Sequence, residues 1–166
     1  PEEHAELLGI ARAARVSPEQ VVILNHYTDL RDVPPSVLDE PAEPGELDGD
    51  DVGHARPAAK SPEDDPGGCT ALYVNGRAGP VLGQTWDMHG TAAQFVRMIR
   101  VRPRGGEREL LAFTLNGCLG MTGINEHGVA VTINNLTTTD ARGGVVWPAL
   151  VRRMLACASA DDAQNV

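Results

Sequence analysis

Three cysteines and five histidines are the side chains of this sequence best suited to nucleophilic or metal chemistry. Their spacing narrows the choice. Cys69, Cys118 and Cys157 are far apart, with no CxxC pair, and an odd number of them is not a disulfide framework. His4, His26, His54, His89 and His127 are scattered without HxxxH spacing, so no metal site is expected. Cys69 differs from the other two by its neighbours, Asp65-Pro66-Gly67-Gly68-Cys69-Thr70. Glycine carries no Cβ to hinder approach to its carbonyl, so the Cys69 thiol could attack the Gly68 carbonyl and turn that peptide bond into a thioester. Hydrolysis would leave Cys69 as a new N-terminus. A free α-amine titrates at about 7.7 to 8.0 and can serve as base for the thiol on the same residue. On spacing alone, packing as a small hydrophobe is the commoner fate of such a cysteine. Cys118 and Cys157 are read that way, as structural.

The elements around Cys69 divide the chain in three. Residues 1–33 read as helices: Leu7, Leu8, Ala11 and Ala14 form a helical stripe, and Ser17-Pro18-Glu19-Gln20 is a capping box with proline at the first helical position. Val16 and Val21 fit a hydrophobic staple, and the apolar run continues through Val22 and Leu24 into Asn25. Residues 34–68 hold ten acids, two bases and most of the prolines, with few large apolar side chains. Such a stretch buries too little to offset its ordering entropy, and it reads as a linker ending at the proposed cut. Residues 69–166 then alternate in strand-length runs. CTALYV meets Asn75-Gly76, a strong hairpin signal, and PVLGQTW returns; FVRMIRVRP, LLAFTL and GVAVTINNL follow. A helix is expected from Trp147 to Cys157 with Pro148 in its first turn, and Ser159 reads as the cap of another. Helices, then consecutive strands, then helices indicate an α+β layered domain. A freshly capped helix so close to residue 166, and a chain beginning at Pro1, suggest part of a longer polypeptide.

The segment GGCTALYVNGRAGPVLGQTWDMHG, followed by FVRMIRVRP, LLAFTLNGCLGMTGINEHGVAVTINNL and a helix after Gly144, resembles the cysteine N-terminal-nucleophile hydrolases of the isopenicillin N acyltransferase family. The same segments are more distantly similar to the choloylglycine hydrolase and penicillin V acylase group, and residues 7–30 resemble the helical region that precedes the cut. The resemblance implies a four-layer αββα sandwich that cleaves itself between Gly68 and Cys69 into two chains held as a heterodimer. It matches Cys69 to the nucleophile, Asp87 to an aspartate placed beside it, and Asn134 to an amide that donates to the oxyanion. Asn135 is the rival to Asn134, because the more distant acylase pattern places the asparagine one residue later; neighbours on an extended strand face opposite sides, so only one of the two can point into the site, and Asn134 is favoured. It implies an amide substrate or a coenzyme A thioester as acyl donor, and no resident cofactor. Two departures stand out. The acidic stretch is long for the approach to the cut, and the C-terminal half of a typical member, with residues that complete its pocket, is not in this chain.

Net charge is −9 overall, yet residues 69–166 carry seven acids and nine bases. No basic face suited to nucleic acid and no apolar run long enough to cross a bilayer are expected, and a cytoplasmic location is favoured. Arg97, Arg100, Arg102 and Arg104 recur along one strand as a solvated face or, alternatively, an anion site for coenzyme A. The glycines at 117, 120, 123 and 128 lack phosphate-loop spacing and read as turns. The rival to an enzyme is an unprocessed or inactive homologue that serves as a binding or structural protein.

Overall fold

A computed structural model describes residues 2–26, 68–88, 90–103, 109–136 and 144–166. All of the acidic stretch except Gly68, together with Arg104, His54 and His89, lies outside the described residues. Two helices open the chain, α1 (Glu2–Ala14) and α2 (Pro18–Asn25). The expected capping box is formed: Ser17 Oγ accepts from the Gln20 backbone at 3.3 Å, and the Ser17 N–H donates to Gln20 Oε1 at 2.9 Å. This satisfies two amides that a helix start otherwise leaves without partners.

The strands fall into two antiparallel sheets, β1 (Ala71–Gly76) with β2 (Gly79–Gln84), and β3 (Val96–Val101), β4 (Leu110–Leu115), β5 (Thr122–Asn125) and β6 (Ala130–Val131) in that order. A 3₁₀ helix over Gly90–Phe95 leads into β3. Two helices complete the described chain, α3 (Trp147–Leu155) with Pro148 in its first turn, and α4 (Ala160–Gln164), whose cap Ser159 accepts from Asp162 N–H at 3.1 Å. The class is therefore α+β, with helices on an antiparallel sheet.

Alternation along β4 shows how the larger sheet is used. Leu110, Ala112 and Thr114 are buried, whereas Leu111, Phe113 and Leu115 between them are not. The buried set faces α3: Leu110, Ala112 and Val131 cluster with Val151 and Leu155, with Ile99, Val101 and Ile133 packed beside them. Gly123 of β5 lies on this side because a Cβ there would sit 2.9 Å from Leu155 Cδ1 and 2.4 Å from the Leu111 carbonyl oxygen. The helix packs close only because that position has no side chain. A second cluster joins Leu7, Ala11 and Val21 to Leu119 and Ala149, so α1 and α2 rest on the β4–β5 loop and on α3.

Two expectations shift. The hairpin forms, but its register pairs Asn75 with Pro80 and Gly76 with Gly79, so the two-residue connection is Arg77-Ala78 and not Asn75-Gly76. Gly79, at φ +108, takes the backbone conformation that ordinary side chains resist. The run GVAVTINNL pairs only at Ala130 and Val131. β5 begins at Thr122, whose place in that register is opposite Thr132, so the chain beyond runs past the end of its partner.

Candidate functional site

The hairpin positions the candidate nucleophile. Beyond the Ala71–Gln84 pair, Thr85 N–H donates to the Thr70 carbonyl at 2.9 Å, and Thr70 N–H donates to Thr85 Oγ1 at 2.9 Å. The threonine side chain thus stands in for a backbone acceptor and lengthens the ladder by one residue. Continued one step, the register sets Cys69 across from Trp86, with Asp87 next along the chain. Cys69 is a free, half-buried thiol, and both Gly68 and Asp87 are exposed.

Two contacts fasten this strand end to the larger sheet. The Trp86 ring meets Phe113 edge to face, with centroids 5.4 Å apart and planes at 73°. The Gln84 side chain accepts from Ile133 N–H at 3.1 Å and donates to the Ile133 carbonyl. Asn134 and Asn135, both exposed, follow directly. The segments bearing Cys69, Asp87 and Asn134 are therefore gathered at one end of the hairpin through their neighbours Thr70, Thr85, Gln84 and Ile133. Val131 and Ile133 pack towards α3, whereas Thr132 lines the opposite side, and alternation carried one step further sets Asn134 with Thr132 and Asn135 with Ile133.

A groove of about 910 Å³ runs between the hairpin and the face of the sheet turned away from α3. Its walls are largely apolar, with Tyr73, Leu82 and Trp86 on one side and Met98, Phe113 and Ile124 on the other. It passes Trp86, which precedes Asp87, and Thr132, two residues before Asn134, but its lining does not include Cys69, Asp87 or Asn134.

The arginines of β3 do not share one face. In the β3–β4 register Arg97 lies opposite the buried Thr114 and Arg100 opposite the exposed Leu111. Arg97 donates to the backbone carbonyls of Gln94 and Val96 at 3.0 and 2.7 Å. Arg100 and Arg102 converge on Glu109, with Nε to carboxylate distances of 2.8 and 2.7 Å. The hydrogen bond from Arg100, more than any other contact, holds the Glu109 carboxyl below its usual range. Two of the cations considered for an anion site thus share one carboxylate.

Cys118 is buried, its thiol donating to the Leu24 carbonyl at 3.9 Å, and burial pushes its pKa up to about 11. A thiol kept protonated in this way suits packing and not nucleophilic attack. Cys157 is half-buried, its thiol donating to the Arg153 carbonyl at 3.4 Å. Among the described residues no three His, Cys, Asp or Glu side chains gather where they could hold a metal ion, and no helix is long and apolar enough to cross a membrane.

Three amides that the sequence did not single out for a role organise the surroundings. Gln84 is one. Asn125, 5 % exposed, donates to the Leu155 and Cys157 carbonyls at 2.9 and 2.8 Å and accepts from His127 and Val129 N–H at 3.0 Å each, so all four of its hydrogen-bonding positions are filled. It closes the β5–β6 turn and caps the end of α3 together. Asn25, 2 % exposed, donates to the Val21 and Gly117 carbonyls at 2.8 and 3.0 Å and accepts from Leu119 N–H at 3.0 Å, joining α2 to the β4–β5 loop. The one sequence signal was an asparagine closing an apolar run.

Two antiparallel sheets with helices packed on one of them make an α+β domain, with a free thiol at the open end of the hairpin. Residues 74–166, more than half of the chain, match the model of the acyl-coenzyme A:6-aminopenicillanic acid acyl-transferase family, and the chain belongs to that family. The match begins at Val74, so Gly68 and Cys69 precede it. A comparison with curated proteins returns no match.

Proposed function

We propose that the protein is a self-processing N-terminal cysteine enzyme that cleaves or forms amides through a thioester. In the first reaction Cys69 Sγ attacks the Gly68 carbonyl carbon; the C–S bond forms, the C–N bond breaks, and the Cys69 nitrogen leaves as an amine. Water then hydrolyses the thioester, which frees the Gly68 carboxylate and the Cys69 thiol. In the second, the α-amine takes the thiol proton as sulfur attacks the acyl donor and returns it to the leaving group. Asn134 donates its amide N–H to the oxyanion; a neutral donor stabilises that charge without giving up its proton. Asp87 holds the ammonium in line. Water completes a hydrolysis and an amine completes a transfer, with an amide or a coenzyme A thioester as the small-molecule donor.

The observation that carries this reading is the Thr70–Thr85 pairing, which puts Cys69 at the open end of a hairpin whose other strand is tied through Gln84 to the segment of Asn134. The face of the larger sheet opposite α3, with Met98 68 % and Ile124 46 % exposed, suits the second sheet of an αββα sandwich. After the cut, α1 and α2 stay bound as the smaller part of a heterodimer through Asn25 and through Glu6, whose carboxylate meets Arg152 at 2.9 Å through both guanidinium nitrogens.

Intact-mass measurement of the purified full chain tests the reading. Two fragments dividing between Gly68 and Cys69 are expected, and one uncut chain from Cys69→Ala. Wild-type chain that remains whole on long incubation points to the zymogen or binding role, and a Cys69→Ala chain that still divides there ends the self-processing account.

A further inference from the structure

We infer that Gln84 is a positioning residue that holds Asn134 in register with the Cys69 strand. The inference rests on the reaction proposed above. Among the described residues the two sheets share no strand pairing, so no backbone ladder fixes the hairpin against β3–β6. The Trp86–Phe113 edge-to-face contact brings them together, but it pairs no backbone groups and so sets no hydrogen-bond register. The Gln84 amide does. It presents one acceptor and one donor to the N–H and C=O of a single residue, Ile133, which is what a neighbouring strand would offer at that point. Ile133 is held from its other side by packing against the α3 cluster. The peptide that begins Asn134 is therefore clamped between the core and the hairpin. Through Gln84 the clamp reaches Ala71, two residues from the nucleophile. A donor that must meet an oxyanion within a few tenths of an ångström depends on such a clamp, because a displacement of about 1 Å can cost on the order of 100-fold in rate.

The test is a double-mutant cycle on the full chain with hexanoyl p-nitroanilide as the probe, comparing wild type, Gln84→Leu, Asn134→Ala and the double variant. Gln84→Leu is expected to lower kcat by about 10- to 100-fold with KM within about twofold, since it disturbs a transition-state contact and not ground-state binding. The double variant is expected to match Asn134→Ala within about twofold, because a residue acting through Asn134 has nothing left to act on. Gln84→Glu keeps the acceptor for Ile133 N–H but at neutral pH lacks a donor for its carbonyl, and its kcat should fall between wild type and Gln84→Leu. If Gln84→Leu does not fold, the same cycle is run with Gln84→Glu. Alkylation of Cys69 by iodoacetamide should proceed at the wild-type rate in every variant that retains it. Full kcat in Gln84→Leu, or losses that multiply in the double variant, would overturn the inference while leaving the reaction standing. Wild type no faster than Cys69→Ala would overturn the reaction, and the inference with it.

Discussion

The helix side of the four-stranded sheet and the hairpin that lies over its other face are fastened in opposite ways. On the helix side two buried asparagines and the Glu6–Arg152 pair join elements across an apolar core, with Asn125 using every hydrogen-bonding position it has. The hairpin carries Tyr73 and Val81, each 63 % exposed, and among the described residues it is tied to the larger sheet by the Gln84 amide and the Trp86–Phe113 ring contact. Among the described residues the buried hydrogen bonds gather where no reaction is proposed, and the proposed reaction sits at the more lightly tied end.

That division predicts a separation of effects. The largest is on activity: Cys69→Ala should abolish cleavage and turnover, while its far-ultraviolet circular dichroism stays that of the wild type. Next, Asn125→Ala should cost about 4 kcal/mol, because it leaves carbonyls at the end of α3 and amides in the β5–β6 turn without partners in a buried place. A cost below about 1 kcal/mol by urea unfolding would break the comparison. Cys118 supplies a pH test. The unfolded thiol ionises near its ordinary value of 9.0, whereas the folded one stays protonated until about 11, so the unfolded state binds fewer protons between them. Stability should be unaffected by this group below pH 9 and fall by roughly 2 kcal/mol by pH 11, and Cys118→Ala should remove that part of the slope. Glu6→Gln should cost about 1 kcal/mol, a half-buried pair being worth somewhat more than a surface one. Smallest of all, Val81→Thr on the hairpin should shift stability by less than about 0.5 kcal/mol.

What could be read in the sequence was local. The cap at Ser17, the proline that opens α3, the cap at Ser159 and the strand-length runs of β3 and β4 each depend on residues within a few positions of one another, and each formed as expected. The hairpin turn moved by two residues because strand register, and not the Asn75-Gly76 signal alone, sets where a turn falls. Of the site, the resemblance reached the family, and the pairing of the strand after Cys69 with the one before Asp87 followed from the hairpin signal between them. Gln84, Asn25 and Asn125 went unread because their bonds join residues that only the folded chain brings together. An amide in an apolar run looks the same whether it meets solvent or a distant backbone.

The ties between the first two helices and the rest of the molecule span 92 residues from Asn25 to Gly117, 94 from Asn25 to Leu119 and 146 from Glu6 to Arg152. All of them cross the bond between Gly68 and Cys69. While that bond is whole, the polypeptide itself keeps the partners at a high effective concentration, and dilution cannot separate them. Once it is cut, the same bonds become contacts between two chains governed by mass action. The thermal midpoint of the cut protein would then fall as it is diluted, whereas that of Cys69→Ala would not.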